Sequence, residues 1–459
     1  MLKINFKKPS GEVLFVNISS KNKDEIVKEK SVKTLYLKCE EIEKMNLRKL
    51  YLLVRKMVAM AKSIKAEKIA FDFNDLKFKN ANVNDQELGE IIGTQLDFAN
   101  YEFTEYKTEP KEGFNFLKEI FILNVPKEIE KFILKGNVIA DEVNKTRTLA
   151  NMPGGDMTPK ILAEKAKEAV KGLPVKVFVL GEKEMERQNM QAILSVGRGS
   201  DEESKFIIME YHGGKVGEKP IVLVGKGVTF DSGGINLKPS SSLAGMQMDM
   251  SGGASVIHTL ALVAKNKLKK NVIGLIPAVE NMASGKSYRP GDIIRSMSGK
   301  TIEILNTDAE GRVILADALN YSHKYKPEVV LNIATLTGAA AVALGERASV
   351  IFSDSSELCC ELENAAEYTG DYVWRLPLWE EYENEIKGTV GDLTNVHNKD
   401  SRYGGAIYAA SFLHQFIKDY KFVHIDIAPR MTSMAGEYLA QGALGTPVRL
   451  LYKFIEDYK

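Results

Sequence analysis

The segments VKVFVLG (175–181), KFIIMEYHG (205–213), PIVLVGKG (220–227), NVIGLIPAVEN (271–281) and EVVLNIATL (328–336) are apolar almost without a break. A strand with alternating apolar residues hides one face, whereas a strand apolar throughout must be covered on both. Between these runs lie stretches with helical apolar spacing. They include TPKILAEKAKEAVKG (158–172), with Thr158 as N-cap ahead of Pro159, and GGASVIHTLALVAKNK (252–267). The alternation predicts an α/β domain with a mixed central sheet flanked by helices. In such sheets ligands bind beyond the carboxyl ends of the strands, so the polar residues following the apolar runs matter most.

The first part of the chain reads as a smaller α/β unit. EVLFVNI (12–18), KTLYLK (33–38) and KIAFDF (68–73) have strand character, and residues 44–65 have helical spacing. A long amphipathic stretch, 128–153, ends at Pro153 and reads as a connector. The predicted plan is an N-terminal α/β domain over 1–135, a connecting helix over 136–153 and a larger catalytic α/β domain over 154–459. A chain of 459 residues has room for both. The net charge of +1 favours no anionic partner, although residues 1–80 carry a mild lysine and arginine excess that reads as a solvated surface. Cys39, Cys359 and Cys360 show no C-x-x-C spacing and are expected to be free thiols in a reducing cytoplasm. The start of the chain lacks a long apolar run, and no 18-residue uncharged apolar stretch occurs, so no membrane partner is expected.

Two segments carry the unusual chemistry. VGKGVTFDSGGINLKPSSSLAGMQMDMSGGAS (224–255) sets Lys226, Asp231, Lys238 and Asp249 among small residues. Glycine lets backbone approach a ligand closely, and repeated carboxylates suit hard cations. SGKTIEILNTDAEGRVILADAL (298–319) sets Asp308 and Glu310 two apart in a loop or strand end, before a helical stretch that follows Arg312. Two neighbouring carboxylates repel unless a cation or a proton lies between them. Either segment alone reads equally well as a polar surface turn. His258, His414 and His424 lie in apolar helical or strand-like runs and read as core or surface histidines. H-E-x-x-H, G-x-S-x-G, P-loop and dinucleotide fingerprints are all missing in a suitable context, which weighs against the corresponding enzyme classes.

NTDAEGR (306–312) matches the signature heptapeptide of the leucyl aminopeptidase family of dimetal peptidases. VGKGVTFDSGGINLKP (224–239) resembles that family's first metal-binding segment, and ENMASGKSYRPGDIIRSMSGKTIEILNTDAEGR (280–312) continues the match. Further likeness lies in IATLTGA (333–339), VWRLPLW (373–379) and HIDIA (424–428), so the resemblance covers roughly residues 140–459. It implies a metal-dependent aminopeptidase that releases N-terminal leucine, methionine and similar residues from peptides by a two-metal-activated hydroxide. Asp231 and Glu310 would bridge two divalent ions, manganese or zinc with magnesium or cobalt as alternatives. Asp308 would bind one ion, and Lys226 (as a neutral amine) and Asp249 the other. Lys238 would polarise the scissile carbonyl, and Arg312 would hold a bicarbonate ion acting as general base. Met246, Thr335, Leu336, Gly338, Ala428 and Met431 would line the pocket for the first side chain. Gln247 stands where many members have lysine, at a position that is not a metal ligand. The resemblance also implies a homohexamer and a cytoplasmic location.

Two rival readings accompany this one. The first is a related dipeptidase acting on cysteinyl-glycine, which a substrate panel separates. The second is a DNA-binding architectural or regulatory role, added to the peptidase or replacing it, because some relatives bind DNA. The charge balance gives nucleic acid no support, and a salt-dependent gel shift would reveal it.

Overall fold

The computed structural model describes residues 1–19, 24–29, 32–39, 42–111, 113–399 and 403–459. The chain divides into two compact units, Met1–Asn144 with Ser433–Gly442, and Lys145–Thr432 with Ala443–Lys459. The division falls inside the helix Glu130–Asn151, which occupies the stretch read as helical from sequence.

In the first unit a six-stranded sheet runs in the order Lys3–Asn5, Glu119–Leu123, Lys68–Asp72, Leu14–Ser19, Val32–Lys38, Glu25–Glu29. All neighbours are parallel except the last pair. The helices Leu47–Ser63 and Asp85–Asn100 pack with it around Leu35, Leu50, Val54, Ile69, Ile92 and Ile120. Asn84 begins the second helix through a reciprocal capping box with Glu87, which satisfies amides the helix leaves open.

The second unit is built on a nine-stranded mixed sheet. Its centre is four parallel strands in the order Lys421–Asp426, Val329–Ala334, Ile221–Gly225, Asn271–Asn281. Lys205–His212 and then Val175–Leu180 add antiparallel beyond Asn271–Asn281. Ser349–Phe352 and Val373–Arg375 extend the other edge. Ile221–Gly225 and Val329–Ala334 are buried throughout, and Asn271–Asn281 at every residue but Glu280, as their apolar runs require. Successive residues of a strand face opposite sides. Ile273 and Leu275 accordingly join the cluster of Val313, Ile314 and Leu315 from the helix Glu310–Ser322, while a Cβ at Gly274 between them would meet Val256 and Leu260 of the helix Ser251–Lys265. The expected helix at 158–172 is present as Pro159–Ala169, and the Thr158 side chain accepts from the Ile161 amide. The six-stranded and nine-stranded sheets, each covered by helices, make the chain a two-unit α/β protein with the larger mixed sheet in the second unit. Among the described residues no helix is long and apolar enough to cross a membrane.

Candidate functional site

Three of the four parallel strands end at one level while Asn271–Asn281 runs on past them, and the unusual polar residues leave from these ends. Lys226 follows Ile221–Gly225, Thr335 follows Val329–Ala334, and Ala428 lies two residues past Lys421–Asp426. Asp231 closes a further strand, Gly227–Asp231, which continues the chain past Lys226 and pairs with the end of Asn271–Asn281. Asp249 lies in a 3₁₀ turn, Met246–Met250, that runs directly into the buried helix Ser251–Lys265. Glycine takes its second position because its backbone touches the sheet there: a Cβ at Gly252 would lie 2.3 Å from the carbonyl oxygen of Ile333.

One part of the local reading needs correcting. The helix expected after Arg312 starts earlier, so Asp308 and Glu310 do not share one loop or strand end. Asp308 sits in a turn held by the Asn306 side chain, which accepts from the Asp308 amide at 2.8 Å. Glu310 is already the first residue of the helix Glu310–Ser322, and Arg312 lies in its first turn. The turn and helix start still bring oxygens of Asp231, Asp308 and Glu310 within 4.8 Å of one another, a grouping able to hold a metal ion.

Two lysines sit among the carboxylates. Lys226 Nζ lies 2.7 Å from Asp249 Oδ2 and 2.8 Å from Glu310 Oε1, and donates to the Thr335 carbonyl at 3.1 Å. Lys238 Nζ lies 2.9 Å from Asp231 Oδ2 and 2.5 Å from Asp308 Oδ1. Thr335 Oγ1 donates to Asp249 Oδ1 at 2.6 Å. Asp231, Asp249 and Glu310 are almost wholly buried with Lys226. Burial raises the pKa of Glu310 and of Asp249, and neighbouring carboxylates add to it, against the pull of Lys226. Burial alone would lower both lysines. The carboxylates around them outweigh it and hold both above the ordinary lysine value. Four carboxylates against two ammonium groups leave the cluster short of positive charge in a place from which water is largely excluded.

Arg312 is buried, and burial brings its pKa down to about 10 despite Glu310 and Asp426 nearby. Its Nη1 donates to the Asn395 carbonyl at 2.9 Å, and its Nε has no hydrogen-bond partner. A cavity of about 250 Å³ joins these groups. It is lined by Lys226, Asp231, Lys238, Asp249, Asp308, Glu310 and Arg312 at one side and by Met246, Thr335, Leu336, Gly338, Ala428 and Met431, so every residue singled out from the sequence reaches it. Ser242, Ala309, Thr337 and Ala341 line it as well. No histidine does.

Sequence reasoning missed the side chains that tie the two segments together. Asn281 donates to Asp231 Oδ1 at 2.8 Å and to the Thr307 carbonyl at 3.0 Å. Thr307 Oγ1 donates to the Gly233 carbonyl at 2.6 Å, and the Asn236 and Thr307 amides cross over to each other's side chains. Tyr288, fully buried, donates to the Thr307 carbonyl at 2.7 Å. Asn281 and Tyr288 lie inside the 280–312 block, but nothing in their local pattern marks them as supports.

A two-unit α/β enzyme, with its polar cluster at the carboxyl ends of the central strands, is the class that this fold and this site define. A family model described as the cytosol aminopeptidase family, catalytic domain, matches residues 144–452. A "Probable cytosol aminopeptidase" of Nitrosomonas europaea is 45% identical over 359 residues, 77% of this chain and 71% of that protein. One of Roseiflexus castenholzii is 43% identical over 367 residues, 78% and 74% of the two chains. Among solved structures, "Bottromycin maturation enzyme BotP in complex with Mn" superposes with a TM-score of 0.87 at 26% identity, covering 97% of this chain and 98% of that one. The chain belongs to the cytosol aminopeptidase family, the leucyl aminopeptidases, and is a peptidase hydrolase of the aminopeptidase type.

Proposed function

We propose that the chain is a metal-dependent aminopeptidase acting on peptides with an unblocked apolar first residue, leucine or methionine above all. The observation that carries this is the convergence of four carboxylates and Lys226 on one cavity that is short of positive charge. The donor set suits two divalent cations. Asp231 and Glu310 would be shared between them, Asp308 would complete one, and Lys226 with Asp249 would complete the other. The relative solved with Mn favours manganese, with zinc, magnesium or cobalt as alternatives. Bound dications supply Lewis acidity and lower the pKa of water at neutral pH. Lys226 would then bind as a neutral amine, its proton displaced by the greater positive charge.

The chain's own residues do the rest. Lys238 is held charged by Asp231 and Asp308, and part of its side chain remains exposed to the cavity. Its ammonium group is placed to donate to the scissile carbonyl oxygen as negative charge develops there. Arg312 has its Nη1 anchored and its buried Nε unpartnered, which suits an oxyanion such as bicarbonate. Arg312 would hold such an anion beside the cavity, where it would supply a general base. The carboxylate side of the cavity favours a free amine, while Met246, Leu336, Ala428 and Met431 favour an apolar side chain of leucine or methionine size. Residues 154–459 are proposed as the catalytic domain, 136–153 as the connecting helix and 1–135 as the N-terminal domain. A homohexamer in the cytoplasm is proposed on family membership.

The test is hydrolysis of leucinamide, methionyl and cysteinyl-glycine peptides and N-acetyl-leucinamide, with chelator and then with Mn, Zn or Co restored. Activity on the unblocked apolar substrates should vanish with chelator and return with metal, and the acetylated compound should stay intact. Metallated protein that leaves every unblocked peptide whole refutes the reading.

A further inference from the structure

Asn395 follows the short strand Leu393–Thr394 and is fully buried, yet it lines no part of the cavity. Both ends of its side-chain amide are engaged. Oδ1 accepts from the Leu305 amide at 2.9 Å and the Asn306 amide at 3.3 Å. Nδ2 donates to the carbonyls of Asn306 at 2.6 Å and Ala309 at 3.5 Å. These four groups flank the turn that presents Asp308 and starts the helix with Glu310. The backbone of Asn395 is used too. Its N–H donates to the Glu303 carbonyl at 3.0 Å, and its carbonyl receives Arg312 Nη1 at 2.9 Å.

We propose that Asn395 is a positioning residue that sets Arg312 at a fixed distance from the carboxylates of Asp308 and Glu310. The inference rests on the metal-dependent reading above. A planar amide offers a donor and an acceptor side by side, and this turn needs both, since it leaves N–H and C=O groups buried. Alanine would leave all four of those groups without the side chain. Ionised aspartate keeps the acceptor but turns an oxygen that cannot donate towards the Asn306 carbonyl. In either variant the turn relaxes away from the Asn395 carbonyl to which Arg312 donates. Side chains that hold ligands in place are often worth about 10–100-fold in metal affinity. A misplacement of about 1 Å can cost about 10²-fold in turnover.

The experiment takes full-length protein carrying Asn395→Ala or Asn395→Asp. Mn²⁺ is titrated calorimetrically into metal-stripped protein, and leucinamide kinetics are measured at saturating Mn²⁺. Both variants should bind Mn²⁺ at least about tenfold more weakly and lose about 10²-fold in kcat, with KM changed by less than about threefold. A residue serving stability alone would lower the thermal midpoint and leave Mn²⁺ affinity and kcat of the folded fraction unchanged. Variants within about twofold of the parent in both quantities overturn the proposal. If the alanine protein does not fold, the aspartate protein, which has the same shape, decides. A parent that fails to bind Mn²⁺ removes the metal reading and this inference with it, whereas a parent that binds beside unchanged variants removes the inference alone.

Discussion

Gly311 and Lys226 share one space: a Cβ on Gly311 would stand 2.6 Å from Lys226 Cε and 2.7 Å from Nζ. The lysine cannot easily retreat, since its amine is held by Asp249, Glu310 and the Thr335 carbonyl. Gly311→Ala should therefore displace Lys226. Overpacking of this kind costs about 1–3 kcal/mol of stability. Turnover and Mn²⁺ affinity should each fall about 10-fold or more, the scale seen when groups that hold a metal ligand are disturbed. Denaturant unfolding with leucinamide kinetics checks both; full activity in the alanine variant would show that Lys226 has room to move.

Asp308 and Lys238 are in contact at 2.5 Å but are predicted to fail differently. Asp308→Ala removes a proposed metal ligand, so metal content and activity should fall together. Lys238→Ala removes a donor to the developing oxyanion, so kcat should fall about 10²–10³-fold with metal content near that of the parent. Metal analysis beside steady-state kinetics separates them, and equal metal loss in both contradicts the division of roles.

His424 gives the protein an acid-sensitive core. Asn332 donates its Nδ2 to the Val224 carbonyl, so its Oδ1 faces His424 Nδ1 at 2.7 Å as an acceptor. His424 Nδ1 therefore carries a hydrogen and donates it to Asn332. Burial, and then the nearby Arg312 charge, push its pKa down to about 3. A depressed folded pKa means that the unfolded chain binds the extra proton first. Its stabilising contribution is complete above the unfolded value of about 6.5 and is lost as pH falls towards about 3. Between pH 7 and pH 5 this amounts to about 2 kcal/mol. His424→Gln should flatten that acid limb, as measured by denaturant unfolding at the two pH values. An unchanged slope would place the titration elsewhere.

Ala428 and Met431 line the cavity of about 250 Å³ where a first side chain is proposed to sit. Ala428→Leu should shrink that space and lower kcat/KM for leucyl substrates about 10-fold or more relative to alanyl ones, since one or more methylenes no longer fit. Met431→Ala should move the preference towards larger residues. A substrate panel in which both variants keep the parent's order of preference would place the first side chain outside this pocket.

Much of the plan is legible along the chain because it depends on local patterns. Unbroken apolar runs announce strands covered on both faces, and Val222, Val224, Ile273 and Leu275 are indeed without exposure. Thr158 before Pro159 announces a helix start. The charged residues of 226–249 and 308–312 stand out because both segments occur in one chain in this order, although either alone reads as a polar surface turn. The turn geometry at Asp308 and Glu310 was not legible, because an Asx turn and a helix start both tolerate that spacing. Nor were the roles of Asn281, Thr307 and Asn395, since a single polar residue carries no sign of a partner that lies far away along the chain.

By itself, the sequence determines which segments are strands and helices, and which residue types are available for chemistry, because both follow from periodicity and local composition. Tertiary structure alone decides that the Lys226 and Glu310 side chains meet at 2.8 Å, and that Asn395 reaches back to the turn before Glu310. The physical reason is that these contacts join positions more than eighty residues apart. Their geometry is set by strand order and by helix packing across the sheet, which no local window of sequence contains.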